Sequence, residues 1–150
     1  MTRIIATTKT LIVNERRELL LLKIGEHTKQ PERSYTKDLP GGFVDDGEAE
    51  YDGAVREIRE ETGIDASNEK LNLVWSQTNY YKETDASVTH LFYLLKLNHT
   101  PEVTVSWEHE SYEWVDIQKA PEELSHRPRF RQVIEYVIQH GLLDAERYSI

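Results

Sequence analysis

The stretch Gly41 to Ile64, GGFVDDGEAEYDGAVREIREETGI, crowds Glu48, Glu57, Glu60 and Glu61 around Arg56 and Arg59 in a chain whose formal charge is already -9. Like charges at helical spacing repel by roughly 0.2–0.5 kcal/mol per pair. A sequence that keeps them either leaves them in water, as most charge runs are, or uses them to hold something positive. An α-helix advances about 100° per residue, so Glu61 lies about 40° to one side of Glu57 and Glu60 about 60° to the other. The three carboxylates share a face. Gathering them raises their pKa values unless a cation compensates. No cysteine is present, and no histidine stands at helical spacing to the cluster. The ligand set is therefore all oxygen, which favours Mg²⁺ or Mn²⁺ over zinc. Arg56 can reach Glu60 one turn on or fold back to Glu48, where a two-point contact would fix a carboxylate in one orientation. Gly41, Gly42 and Gly47 allow positive φ and a close backbone approach, and Pro40 stiffens the entry.

The elements that must position this face follow from hydrophobic pattern. Ile4 to Val13 predicts a strand rich in β-branched residues. Leu19 to Ile24 is a continuous apolar run, as in a strand covered on both faces. GEHTKQPERSYTKD reads as a long polar connection, a length associated with function. The helix is expected over Ala49 to Thr62, with Val55, Ile58 and Thr62 packed inward, the acidic stripe facing outward and Gly63 as a left-handed cap. Leu71 to Tyr80 and Val88 to Asn98 predict two strands joined through YKETDAS as a hairpin. SYEWVDI is a further strand and KAPEEL a helical turn. Pro128 to His140 is a closing helix with Phe130, Val133, Ile134, Val137 and Ile138 as its buried stripe. Strands interleaved with two substantial helices predict an α/β or α+β domain layered around a mixed sheet.

At 150 residues and 38% hydrophobic content, one domain over residues 1–150 has enough material for a core. A pI near 5.1 argues against an extended nucleic-acid surface. Small phosphorylated ligands remain compatible, because a divalent cation reverses the local field. The lack of cysteine suits a reducing cytoplasm. The first residues lack the features of a signal peptide, and no run approaches the length of a membrane span.

Gly42, five residues, Glu48, seven residues and then Arg56-Glu57-Ile58-Arg59-Glu60-Glu61-Thr62-Gly63-Ile64 resembles the Nudix box at every defining position. A chance match at a given start is on the order of 10⁻⁹ from background usage. DLPGG before the box and WEHESYEWVDI after it also look like the family's surroundings. The resemblance implies the Nudix fold, a mixed sheet sandwiched between helices. It implies hydrolysis of a nucleoside diphosphate linked to another group, with a divalent cation, usually Mg²⁺. By position, Glu57, Glu60 and Glu61 look like metal-binding carboxylates joined by the Gly41 carbonyl. Arg56 and Glu48 look like the pair that orients them, and Glu57 is the first choice of base.

Outside the box, Glu108 resembles a glutamate that serves some relatives as ligand or base; its bland alternative is a solvated carboxylate, with Glu110 competing. Lys23 stands where relatives place a phosphate-binding base, or is a snorkelling strand lysine. Tyr80 and Tyr81 fall in a window where a tyrosine resembles the pattern of diadenosine polyphosphate hydrolases, in which it can stack on a base, or are strand-end packing residues. Trp75, Trp107 and Trp114 read as core by default. Arg127, Arg129 and Arg131 read as a solvated helix start rather than an anion patch, and the histidines as structural or surface residues. The partner expected is a small nucleotide, with nucleoside triphosphates (oxidised or otherwise non-standard ones among them) first. The alternatives are a dinucleoside polyphosphate, a non-catalytic nucleotide-binding module and, least favoured, an RNA end. A homodimer is left open.

Overall fold

The computed structural model describes residues 1–144. The strands are β1 (Arg3–Val13), β2 (Glu18–Ile24), β3 (Lys37–Asp38), β4 (Leu71–Tyr81), β5 (Ala86–Lys96) and β6 (His109–Asp116). The helices are α1 (Glu50–Thr62), α2 (Ala120–Glu123) and α3 (Pro128–Gln139). The sheet runs β3-β2-β1-β5-β4, and β6 pairs with the edge of β2 opposite β1 and β3. Strands β1 and β5 are parallel in one register from Arg3↔Ala86 to Val13↔Lys96, while the other pairings are antiparallel. This is the expected mixed sheet.

Leu19, Leu20, Leu21 and Leu22 are all completely buried, which explains the unbroken apolar run. Successive side chains point to opposite faces of a strand, so β2 feeds two cores. On one face Leu19 and Leu21 join Leu11, Phe92 and Leu94 against Phe130, Val133, Ile134 and Val137 of α3. On the other, Leu20 and Leu22 join Ile12 and Leu95 against Ala54 and Ile58 of α1. Truncating such residues to alanine costs about 2–5 kcal/mol each. Ile138 is only partly buried beside the first core.

Two features depart from the sequence expectation. The long connection is not plain loop: Pro31–Arg33 forms a 3₁₀ turn, and Lys37–Asp38 pairs with Lys23 and Leu22 of β2. Strand β5 begins and ends two residues early, because it stays in step with β1 and stops where β1 stops.

The feature that builds the site is a gap. β1 and β2 meet only at Val13↔Leu19; further along, that edge of β2 pairs with β3, while β6 lies along the whole of its opposite edge. The released edge of β1 is taken by the segment after β3. Thr10 N–H donates to the Pro40 carbonyl (2.8 Å), Thr8 N–H to Gly42 (2.9 Å), and Val44 N–H to Ala6 (2.9 Å). The glycines thus lie against β1 almost as an added strand, directly before α1.

Candidate active site

α1 ends where Gly63 takes φ 77° and returns its N–H to the Arg59 carbonyl, the glycine cap expected from the sequence. Ala54, Ile58 and Thr62 seat the helix on the sheet. Val55 is only half-buried, whereas Glu61, expected on the outward stripe, is 5% exposed. The glycine segment on β1 covers it, and Gly41 N–H donates to Glu61 Oε1 at 2.8 Å.

Gly41 has φ 148°, and a Cβ there would fall 1.9 Å from the Thr8 carbonyl oxygen. No other residue fits. Gly42 is needed for a different reason: a Cβ would stand 2.6 Å from Glu57 Oε1. The two glycines bring the backbone against two of the three carboxylates.

Arg56 organises the rest. Its Nε and Nη2 donate to the two oxygens of Glu48, at 2.8 and 3.0 Å. Nη1 lies 3.2 Å from Glu57 Oε1 and from both oxygens of Glu60. Nη2 also donates to the Phe43 carbonyl at 3.1 Å. Both contacts expected of Arg56, forward to Glu60 and back to Glu48, are therefore made at once. The Arg56 hydrogen bonds, helped by Asp45 N–H, hold the Glu48 carboxyl down at about 2. Among the described residues no three acidic or histidine side chains already converge as a metal cage. Glu57 and Glu60 face Arg56, and Glu61 faces Gly41.

The pKa shifts follow burial more than mutual repulsion. Burial pushes Glu61 up to about 7, against the opposing pull of Lys9 and the Gly41 N–H. Burial also raises Glu57, with Arg56 opposing and Glu60 adding a smaller push.

The outlying candidates divide. Tyr81 at the end of β4 contacts His90 Nε2 (3.3 Å), whose Nδ1 contacts Thr7 Oγ1 (3.1 Å), and Thr7 bridges to Phe43. That chain leads to the glycine loop. Tyr80 points elsewhere, donating to Asp85 of the hairpin at 2.9 Å. Lys23 pairs with Glu110 at 3.3 Å, both side chains well exposed. Glu108 is exposed and lines a cleft of about 160 Å³ with Arg33, Asp38 and Trp107.

Trp75 packs edge-on to Tyr136 and Trp114 on the second core, as expected, but Trp107 is 90% exposed and is not a core residue. Arg131 is an exposed partner of Glu135, and Arg129 reaches Asn79 on β4 at 2.9 Å. Arg127 is not solvated as expected: its guanidinium lies 3.9 Å from the Phe130 ring centre and 3.7 Å from Asp38.

Sequence reasoning missed the charge cluster beneath the loop. Asp38, 3% exposed, receives Lys9 Nζ at 3.0 Å and faces His109 Nε2 at 3.1 Å. Burial alone would raise its pKa; the Lys9 charge, the His109 hydrogen bond and Arg127 outweigh burial and hold it below the usual carboxylate range. The signal available was Lys9 itself, a lone charge inside a β-branched run.

This fold and this arrangement place the protein in a family. Residues 5–137 match the NUDIX domain, and the chain belongs to the Nudix family. It is 31% identical over 81 residues to an asymmetrical bis(5'-nucleosyl)-tetraphosphatase of Caenorhabditis elegans, covering 54% of this chain and 59% of that one. It is 35% identical over 83 residues to a Bacillus subtilis protein provisionally named 8-oxo-dGTP diphosphatase, covering 55% and 48%. The chain thus matches about half the length of these curated relatives. Among solved structures, a MutT protein of Methanosarcina mazei superposes with a TM-score of 0.74 at 27% identity, over 93% of this chain and 96% of that one. These likenesses establish the Nudix fold.

Proposed function

We propose that this chain is a Mg²⁺-dependent hydrolase that cleaves a phosphoric anhydride in a nucleoside diphosphate joined to another group. The observation that supports this best is the array around Arg56, which fixes Glu48, Glu57 and Glu60 in one place beside the Glu61–Gly41 contact. The residues suit a hard divalent cation. Their donors are all oxygen, Gly42 lets the backbone come up against the Glu57 carboxylate, and Glu61 is buried with its burial outweighing the pull of Lys9 and His109. Glu57, Glu60, Glu61 and the Gly41 carbonyl would hold Mg²⁺, with Mn²⁺ as substitute. Bound there, the cation supplies neutralising charge for the diphosphate and a lowered pKa for water.

The chain's own groups do the rest. Arg56, anchored on Glu48, keeps Glu57 Oε1 in place and leaves Oε2 to accept a proton. Water attacks a phosphorus, its proton passes to Glu57 Oε2, and the anhydride oxygen leaves with the other phosphate. Phosphoryl transfer asks mainly for position and charge neutralisation, which a rigid helix provides. Nucleoside triphosphates and dinucleoside polyphosphates are the substrate classes. The latter gain support from Tyr81, placed near the glycine loop, and from the names of several relatives. Among the described residues no helix is long and apolar enough to cross a membrane. One domain over residues 1–150 acting on small nucleotides in the cytoplasm completes the reading.

The test is product analysis on a panel of nucleoside triphosphates, 8-oxo-dGTP and diadenosine tetraphosphate, with Mg²⁺ and with chelator. Magnesium-dependent release of a mononucleotide is expected. Tight binding with no turnover on any member would replace the enzyme with a binding module.

A further inference from the structure

Lys9 is the one charged residue within the core-forming part of β1, and nothing in the chemistry above uses it. Its side chain is 17% exposed, and its ammonium makes three contacts: Asp38 Oδ1 at 3.0 Å, the Leu39 carbonyl at 2.9 Å and the Gly41 carbonyl at 3.5 Å. With Thr10 N–H on Pro40 and Thr8 N–H on Gly42, every carbonyl from Leu39 to Gly42 is gripped from β1. The Lys9 contacts fall on the peptide planes on either side of the Pro40–Gly41 peptide. That central peptide is the one whose N–H points at Glu61. Thr10 N–H holds that central peptide by its Pro40 carbonyl, and Lys9 holds the peptides on both sides of it.

A lysine ammonium is a compact charge on a flexible stem and needs an anchor to act as a fixed point. Asp38 supplies it, itself held by His109 and Arg127. The same ammonium exerts the largest opposing pull on the raised Glu61 pKa, with His109 contributing less, and also acts on Glu57.

We propose that Lys9, anchored by Asp38, is a positioning residue for the reaction, holding the Gly41 peptide so that its N–H seats the Glu61 carboxylate. The proposal rests on the hydrolase reading for its kinetic part and on the metal-free protein for its structural part. Removing a group that orients functional ligands from behind lowers activity about 10–100-fold. Lys9→Met is expected to lower kcat by about that factor with KM close to wild type. Lys9→Arg, which keeps the charge, recovers part of the loss. In metal-free protein the Gly41 amide resonance should move in Lys9→Met and stay nearer its wild-type position in Lys9→Arg.

A folded Lys9→Met protein with unchanged kcat overturns the proposal, as does a loss of kcat with the Gly41 resonance unmoved. Should Lys9→Met fail to fold, the pair Lys9→Met with Asp38→Asn removes both charges of that ion pair and leaves Arg127, 27% exposed, to solvent and the Phe130 ring. A pair variant with a wild-type Gly41 resonance, or one that also fails to fold, gives Lys9 a purely structural role and ends the idea. If the wild-type protein hydrolyses no nucleotide, the functional reading falls by itself, and the Gly41 resonance still decides the contact.

Discussion

Asp38 and Glu61 are two carboxylates of nearly equal burial, 3% and 5% exposed, joined through the same glycine segment. Their acidities move in opposite directions. Asp38 is surrounded by Lys9, His109 and Arg127, and stays ionised well below the ordinary range. Glu61 has one backbone N–H and a more distant share of Lys9, and burial carries it up to about 7. The difference teaches what each region is for. The Asp38 cluster is closed, its charge answered within the protein. The Glu61 region is open, its charge short of a partner, which is the condition that favours a cation from outside.

The sharpest way to test that contrast is catalysis. Glu57→Gln removes the proposed proton acceptor from the open region and is expected to lower kcat by about 10²–10⁴-fold. The thermal midpoint should stay near wild type, since no core volume is lost. Steady-state assays beside a melting curve check both halves; wild-type turnover would remove Glu57 from its role.

The closed region should instead answer in stability. Asp38→Ala leaves Lys9 and Arg127 without their buried counter-charge, and breaking such a cluster costs about 3–5 kcal/mol. Urea unfolding at neutral pH measures it. A loss under about 1 kcal/mol, the scale of exposed ion pairs, would show that the cluster is not closed.

The smallest effect is set by pH. Burial raises the Glu61 pKa from 4.5 unfolded to about 7 folded. The folded state therefore keeps a proton that the unfolded state releases, and stability is lost as pH rises from about 4.5 to 7. The full effect is on the order of 3 kcal/mol. In chelator, urea midpoints at pH 5 and pH 8 should differ for wild type in that direction. Glu61→Gln, which removes the titrating carboxyl and keeps an oxygen for Gly41, should flatten the difference. A variant with the wild-type slope would place the titration elsewhere.

Local pattern made much of this legible. α1 and its cap, the buried run of β2 and the stripe of α3 all rest on periodicity and glycine placement that neighbours in sequence reveal. So did the Arg56 array, whose members lie within one loop and three helical turns. What stayed hidden depends on distant pairing. Lys9 and Asp38 are 29 residues apart, and Asp38 and His109 are 71 apart. Glu61 belongs to the outward stripe by angle alone, and only the glycine segment laid on β1 turns it into an interior residue.

The parting of β1 from β2 has one more consequence. The segment that shapes the site is stitched into the vacancy by the same amide-to-carbonyl bonds that run through the rest of the sheet. Loosening it means unzipping a piece of the scaffold, so the precision with which Gly41 and Gly42 meet the carboxylates is inherited from the stiffest layer of the molecule rather than from the loop itself.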